Sequence, residues 1–198
     1  MNDSLAFAAL YLHLNKEASL SSEEFEACKG FFNIQHLEKG HLISEPKSLI
    51  DSQSFVVKGC VRAYFQENEW ERDYTLLFAI EEWWIGDFMA YHTDTPATLF
   101  VECLQDSSLI TISKENLKEL YDQVPALETF FLRKLERAYA ANHRRILSML
   151  KDPAEKRYAD FLEQFPSIEQ RVKNYQIASY LGIAPESLSR IRRQLASS

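Results

Sequence analysis

The chain has 198 residues, with 22 Lys and Arg against 29 Asp and Glu, a formal net charge of −7, and that length allows one large domain or two small ones with real cores. No run approaches the roughly 18 apolar residues of a membrane span, and the start Met-Asn-Asp-Ser lacks the basic and apolar parts of a signal sequence. Cys28, Cys60 and Cys103 are odd in number and scattered, which argues against a disulfide framework or a metal or cluster site and for reduced thiols in a cytoplasmic protein with no membrane partner.

Leu5, Ala8, Ala9 and Leu12 mark a first helix, and Ser21 or Ser22 opens a second that carries Phe25 and Cys28. From Phe32 to about Ile112 the texture changes to short β-like runs at 33–37, 54–57, 60–66, 71–78, 99–104 and 108–112. Lys39-Gly40, Lys58-Gly59 and Asn68 break these runs. Strands this short and evenly spaced suggest a barrel or jelly roll.

A short helix over 113–124 follows, capped by Ser113 with Asn116 or Glu115. Pro125 then starts a long helix reaching about residue 150, where Asp152-Pro153 stops it. Leu127, Phe131, Leu135, Ala138, Asn142, Ile146 and Met149 recur along it with a coiled-coil spacing. About 25 helical residues span roughly 38 Å, longer than a small roll needs to cover one face, so the seam favours pairing of two chains. A further helix over 154–164 ends before Pro166.

The last segment reads as two short helices broken at Gly182. Ile177, Ala178 and Leu181 give the first an apolar stripe, and Leu188, Ile191 and Leu195 give the second another. Gly182 can take the positive φ of a tight turn, and Pro185 suits a first helical position. Glu186, Ser189, Arg190 and Arg193 share the outward face. This is a helix-turn-helix pattern, in which the second helix enters the DNA major groove. Charge supports the placement: residues 1–123 hold 9 basic and 21 acidic side chains, 124–150 hold 5 and 2, and from Arg171 onward there are 5 against 1.

In this order the segments resemble the catabolite activator/FNR (Crp/Fnr) family of bacterial transcription regulators. The residues that carry the resemblance are Phe-Val-Val-Lys-Gly at 55–59, Trp-Ile-Gly-Asp-Phe at 84–88, the long helix, and Gly-Ile-Ala-Pro-Glu-Ser-Leu-Ser-Arg-Ile at 182–191. The resemblance implies an α+β fold in three parts: a β-roll (jelly-roll) effector domain over 1–123, a dimerisation helix over 124–150 and a helix-turn-helix domain over 151–198. With the chain stopping three residues past Leu195, no C-terminal wing is expected. It also implies a homodimer on two-fold-related double-stranded DNA, with RNA polymerase as a further partner. Glu186 and Arg190 would read bases, the carboxylate accepting from cytosine and the guanidinium binding guanine O6 and N7. Pro185, Ser187, Ser189, Arg192 and Arg193 would complete the DNA surface, the last two on phosphates. Two departures stand in this helix: Pro185 where Arg or Lys often precedes the Glu, and Ala184 where Ser or Thr usually caps.

The cyclic-nucleotide cassette is degenerate. Met89-Ala90-Tyr91 follows Gly86-Asp87-Phe88, and the stretch expected to hold an Arg reads Thr-Pro-Ala-Thr-Leu at 95–99. Neither the carboxylate for a ribose nor the guanidinium for a phosphate is present, so cAMP is not the expected effector. Trp84, Phe88, Met89, Tyr91 and Thr98, with Asn142 and His143 from the long helix, are candidates for lining a pocket, although plain core is the favoured reading for most of Trp83, Trp84, Phe88 and Tyr91, and a dimer seam or the surface for Asn142 and His143.

Two rival readings come from other classes. One is a cupin-like metal enzyme, but His13, His36, His41, His92 and His143 form no His-x-His pair with a following Glu. The other is a protein-binding roll with a degenerate DNA-binding end. No nucleophile–base pair, phosphate-cradling glycine loop or paired acidic site is evident, so no enzymatic activity, cofactor or metal is expected.

Overall fold

The computed structural model describes residues 2–66, 73–166 and 168–196. The turn expected at Asn68 and the start of the run expected at Glu71 and Arg72 lie outside these residues. The chain forms two compact units, residues 1–63 with 78–135 and residues 64–77 with 136–198. The linear division at 123 and 150 does not coincide with these units, because the long helix passes from one into the other and the Tyr64–Leu77 stretch counts with the second.

In the first unit, the Asn2 side chain accepts from the N–H of Ser4 and caps α1 (Asp3–Leu14). The buried residues of α1 are Ala6, Leu10, His13 and Leu14. The stripe expected at Leu5, Ala8, Ala9 and Leu12 is therefore corrected: Leu5, Ala8 and Leu12 are exposed. Apolar residues lie on nearly every side of this helix, so periodicity alone could not choose its face. Ser21 and Glu24 close a capping box at the start of α2 (Ser22–Cys28), and a single 3-10 turn, Lys29–Phe31, leads into the strands.

Eight strands follow among the described residues: β1 (Phe32–Leu37), β2 (Leu42–Ser44), β3 (Ser52–Lys58), β4 (Val61–Gln66), β5 (Asp73–Ala79), β6 (Trp84–Ile85), β7 (Phe100–Cys103) and β8 (Ser107–Ser113). They form two four-stranded sheets, ordered β1-β8-β3-β6 and β2-β7-β4-β5, which is a jelly-roll order. β2, β6 and the short α3 (Phe88–Thr93) are too short to carry a periodic signal in sequence. β8 lies between β1 and β3, placing Ile112 opposite Phe32 and Ile110 opposite Phe55. Gly59 is required between β3 and β4: its φ is +115°, and an added Cβ would meet Ser107 Oγ at 2.2 Å.

The core of this unit joins Leu10 and Leu14 of α1, Phe25 and Cys28 of α2, and Phe55, Ile110 and Ile112 of the roll. Leu117 and Leu120 enter from α4 (Lys114–Gln123), which Ser113 caps by accepting from the N–H of Asn116. Leu127 and Phe130 enter from α5 (Pro125–Lys151), and Phe131 packs against the same cluster. The seam expected along α5 is corrected accordingly, since Leu127 and Phe131 belong to the core. The large apolar residues left exposed on α5 are Leu132, Leu135, Tyr139, Ile146, Leu147, Met149 and Leu150, and Ala138 of the expected seam is exposed as well.

In the second unit, α5 ends before Asp152-Pro153, and Arg157 Nη1 donates to the Met149 carbonyl at 3.0 Å. Then come α6 (Ala154–Gln164), a 3-10 turn (Ile168–Gln170), α7 (Asn174–Leu181) and α8 (Pro185–Ala196). Phe161, Phe165 and Tyr180 form an aromatic cluster with ring centroids 5.2–5.9 Å apart. Ile177, Ala178, Leu181, Leu188 and Ile191 are buried around them, each large aliphatic side chain contributing about 1.5–3 kcal/mol by leaving water. Leu195 does not join them; it is exposed, one turn past the end of the packed face.

Candidate nucleic-acid interface

The turn between α7 and α8 is closed by backbone geometry. Gly182 takes φ +66°, its N–H donates to Ser179 O, and the N–H of Ile183 donates to Ala178 O at 3.0 Å. This pair of bonds satisfies the last carbonyls of α7 and turns the chain sharply. Pro185 opens α8, whose buried Leu188 and Ile191 fix its inner side. Glu186, Ser189, Arg190 and Arg193 are exposed, and Pro185 and Ser187 are half-buried.

Arg190 makes no ion pair or hydrogen bond among the described residues, and it is not paired with Glu186 one turn earlier. A guanidinium and a carboxylate are thus both free on the outer side of α8. Ser189 is engaged: its hydroxyl donates to Pro185 O at 3.0 Å and accepts from Asn174 Nδ2 at 3.2 Å. Arg193 Nε reaches the Ser189 carbonyl at 3.4 Å.

Arg192 sits differently. Its Nε donates to the Tyr158 hydroxyl at 3.0 Å, and its Nη2 pairs with Glu169 Oε1, 2.6 Å away, by charge and not by hydrogen-bond geometry. The Tyr158 hydroxyl in turn donates to Glu169. Burial raises the Tyr158 phenol above its ordinary range, and the bond to Glu169 adds to the rise. Sequence reasoning missed the start of α7, where Lys173 and Tyr175 are exposed and Asn174 ties α7 to Ser189 of α8. The first residues of the leading helix in a helix-turn-helix were the available signal.

The candidate effector residues of the first unit are spread over core, short helix and surface. Trp84 packs against Phe55 and Phe131 with centroids 5.4 and 5.0 Å away, and its buried Nε1 has no hydrogen-bond partner among the described residues. Phe88 stacks on His92, Tyr91 is buried edge-on to His92, and Met89 and Thr98 are exposed. Asn142 and His143 are exposed on the second-unit part of α5, with His143 against Tyr139.

Asp87, fully buried, governs the cassette. Its carboxylate accepts from the N–H groups of Ala90, Thr98 and Leu99 at 2.9–3.1 Å. These backbone donors are therefore occupied by the protein's own anion. A cation absent from 86–99 does arrive from elsewhere: Lys114 Nζ lies 2.6 Å from Asp94 and 3.1 Å from the Tyr91 carbonyl. The roll also buries Arg62, 3.0 Å from Glu102. Among the described residues no three His, Cys, Asp or Glu side chains gather into a metal-holding group, and His36 bonds to Ser108. No described helix is long and apolar enough to cross a membrane.

A jelly roll, a long helix and a helix-turn-helix in sequence define a Crp/Fnr-like fold. Solved structures agree. The global regulator CLP of Xanthomonas campestris, described as c-di-GMP responsive, superposes with a TM-score of 0.70 at 14% identity, over 89% of this chain and 92% of that one. CooA from Carboxydothermus hydrogenoformans, as a double mutant, gives 0.69 at 17%, over 87% and 79%. A Crp/Fnr-family transcriptional regulator from Eubacterium rectale gives 0.65 at 19%, over 90% and 85%. No model of a protein family matches the sequence. No curated protein matches it.

Proposed function

We propose that this chain is a DNA-binding transcription regulator that works in the cytoplasm as a homodimer, each α8 reading one half of a two-fold-related double-stranded site. The observation that carries this reading is the free Arg190 guanidinium beside Glu186 on the outer side of a helix set by a Gly182 turn. Arg190 and Glu186 contact bases; Arg193 and Lys173 contact phosphates. Residues 1–123 act as the sensing part, 124–150 as the pairing helix and 151–198 as the DNA-reading part, and RNA polymerase is the partner such a regulator addresses.

Pairing is supported by the exposed positions of α5. Leu132, Tyr139 and Ile146 fall seven residues apart, and Leu135, Asn142 and Met149 do so three residues later, the a and d positions of a coiled coil. Asn142 is the one polar member of the d set.

The effector is not a cyclic nucleotide. Asp87 already holds the amide donors, and Lys114 is committed to Asp94, so burying a cyclic phosphate there costs several kcal/mol. Calorimetry with cAMP should show no binding in the low micromolar range.

The reading is tested by selecting duplexes from a random library with the full chain, then titrating the winners at two salt concentrations. Enrichment of a two-fold-related sequence, bound with affinity that falls steeply with salt, supports it. No enrichment together with salt-independent binding overturns it.

A further inference from the structure

We propose that Arg192 is a positioning residue that, with Tyr158 and Glu169, sets the rotation of α8 and hence the angle at which Arg190 and Glu186 meet bases. The inference rests on the DNA-binding reading above and assigns a basic residue of the reading helix to a role away from the phosphates.

Helical geometry separates the arginines. Residues two apart differ by about 200° around the axis, and residues three apart by about 300°. Arg193 therefore shares the side of Arg190, whereas Arg192 turns away from it. On that far side Arg192 meets Tyr158 of α6 and Glu169 of the 3-10 turn. Tyr158 is buried, so its ring is fixed by the core and its hydroxyl is a stationary anchor. The hydroxyl accepts from Arg192 Nε and donates to Glu169, and Glu169 also faces Arg192 Nη2. Each of the three groups thus engages the other two.

The rest of the α8 seat is apolar. Leu188 and Ile191 hold the helix down, but burial of apolar surface is non-directional and tolerates small rotations. Hydrogen bonds and a planar guanidinium are directional. A rotation that swings Arg190 across the groove breaks the Arg192 contacts, so the triad penalises it.

The test uses the full chain, duplexes selected by the unmodified protein, and random DNA. Arg192→Ala, Tyr158→Phe and Glu169→Gln should each lower the ratio of specific to random affinity about tenfold, the worth of one misplaced base contact. The slope of affinity against salt should not change. Arg192→Lys should not rescue, because an ammonium lacks the guanidinium fork. The double variant of Arg192→Ala and Tyr158→Phe should lose no more than either single, the signature of one coupled unit. Thermal unfolding separates this effect from loss of fold, since Glu169→Gln changes a half-exposed group.

If Arg192→Ala weakens specific and random DNA alike, lowers the salt slope by about one, and Tyr158→Phe and Glu169→Gln are silent, Arg192 is a phosphate contact and the inference is wrong. An unmodified chain that selects no sequence overturns the regulator reading itself, a different result from selection with silent triad variants.

Discussion

Ser179, on α7, donates from its Oγ to the carbonyl of Asp73, 2.7 Å away and 106 residues earlier in the chain. The same oxygen accepts from the N–H of Thr75 at 2.8 Å. One hydroxyl therefore serves a carbonyl and an amide of β5, as a neighbouring strand would. Beside it, Arg145 Nη1 donates to Leu76 O at 2.5 Å and its guanidinium lies 4.6 Å from the Tyr180 ring centroid. Thr75 is buried, so water does not easily replace the bond. Ser179→Ala should cost about 1–3 kcal/mol, the penalty of leaving buried polar groups unpaired. Urea unfolding measures the loss, and faster hydrogen exchange at the Thr75 amide locates it. Unchanged stability would show that the hydroxyl does not bridge the strand in solution.

Gly182→Ala tests the turn. The glycine sits at φ +66°, and an added Cβ would meet Met149 Cε at 2.9 Å. Met149 ends in a flexible chain and can give way, so the main cost is the left-handed backbone, about 1–2 kcal/mol. Gly182→Asn should cost less, because Asn tolerates that region. Equal stability of both variants and the parent in chemical denaturation would contradict this.

His13 predicts a pH dependence. Its ring lies against Phe55 and Phe130, and neither nitrogen has a hydrogen-bond partner among the described residues. Burial chiefly, with help from Lys134, lowers its pKa from 6.5 to about 4. The unfolded chain therefore binds a proton below pH 6.5 that the folded chain refuses until about pH 4. Stability is full above that window, falls as pH drops through it, and levels off below. The loss approaches about 3 kcal/mol. His13→Leu should remove this component of the acid slope, read from unfolding midpoints at neutral pH and at about pH 4.5, toward the lower end of that window, where most of the loss has accrued. A parent and variant with parallel acid slopes would refute it.

Arg190 and Arg193 should separate by DNA sequence. Arg190→Ala should weaken specific binding by about 1–3 kcal/mol and relax preference at one base pair per half-site. Arg193→Ala should weaken selected and random DNA similarly and lower the salt slope by about one. Equal losses on both DNAs for Arg190→Ala would move that residue to a phosphate.

Charges on α5 should break pairing without unfolding the protomer, because their sites are already exposed. Leu135 and Ile146 are 49% and 52% accessible, so Leu135→Lys or Ile146→Lys removes little from the protomer's own core. Sedimentation should show a dimer for the parent and monomers for the variants. The variants should also lose tight DNA binding, since two half-sites are then read independently. A parent that sediments as a monomer at micromolar concentration would sink the homodimer.

Much of this architecture is legible from local chemistry. Ser113, Pro125, Asp152-Pro153, Gly182 and Pro185 set helix ends where the structure has them, because caps, missing N–H groups and positive φ act within a few residues. The outward placement of Glu186 and Arg190 follows from the same short-range periodicity. The face of α1 was not legible, since a helix apolar on most sides is oriented only by the surfaces it meets. The seam of α5 is only partly legible for a related reason: Leu127 and Phe131 look like coiled-coil positions until the roll supplies a core for them.

What the sequence determined by itself is therefore the order of the longer helices and strands and the outer face of α8, both consequences of interactions between near neighbours in the chain. What only the tertiary structure decided is which charges are free. Arg192 is counted with the basic tail in sequence, yet it is held by Tyr158, 34 residues away; Lys114 reaches the cassette from 23 residues beyond Tyr91; and Asp87 occupies amides 11 and 12 residues ahead of it. Hydrogen bonds and ion pairs act over about 3 Å in space, and a linear pattern does not record which distant groups the packed core will bring within that range.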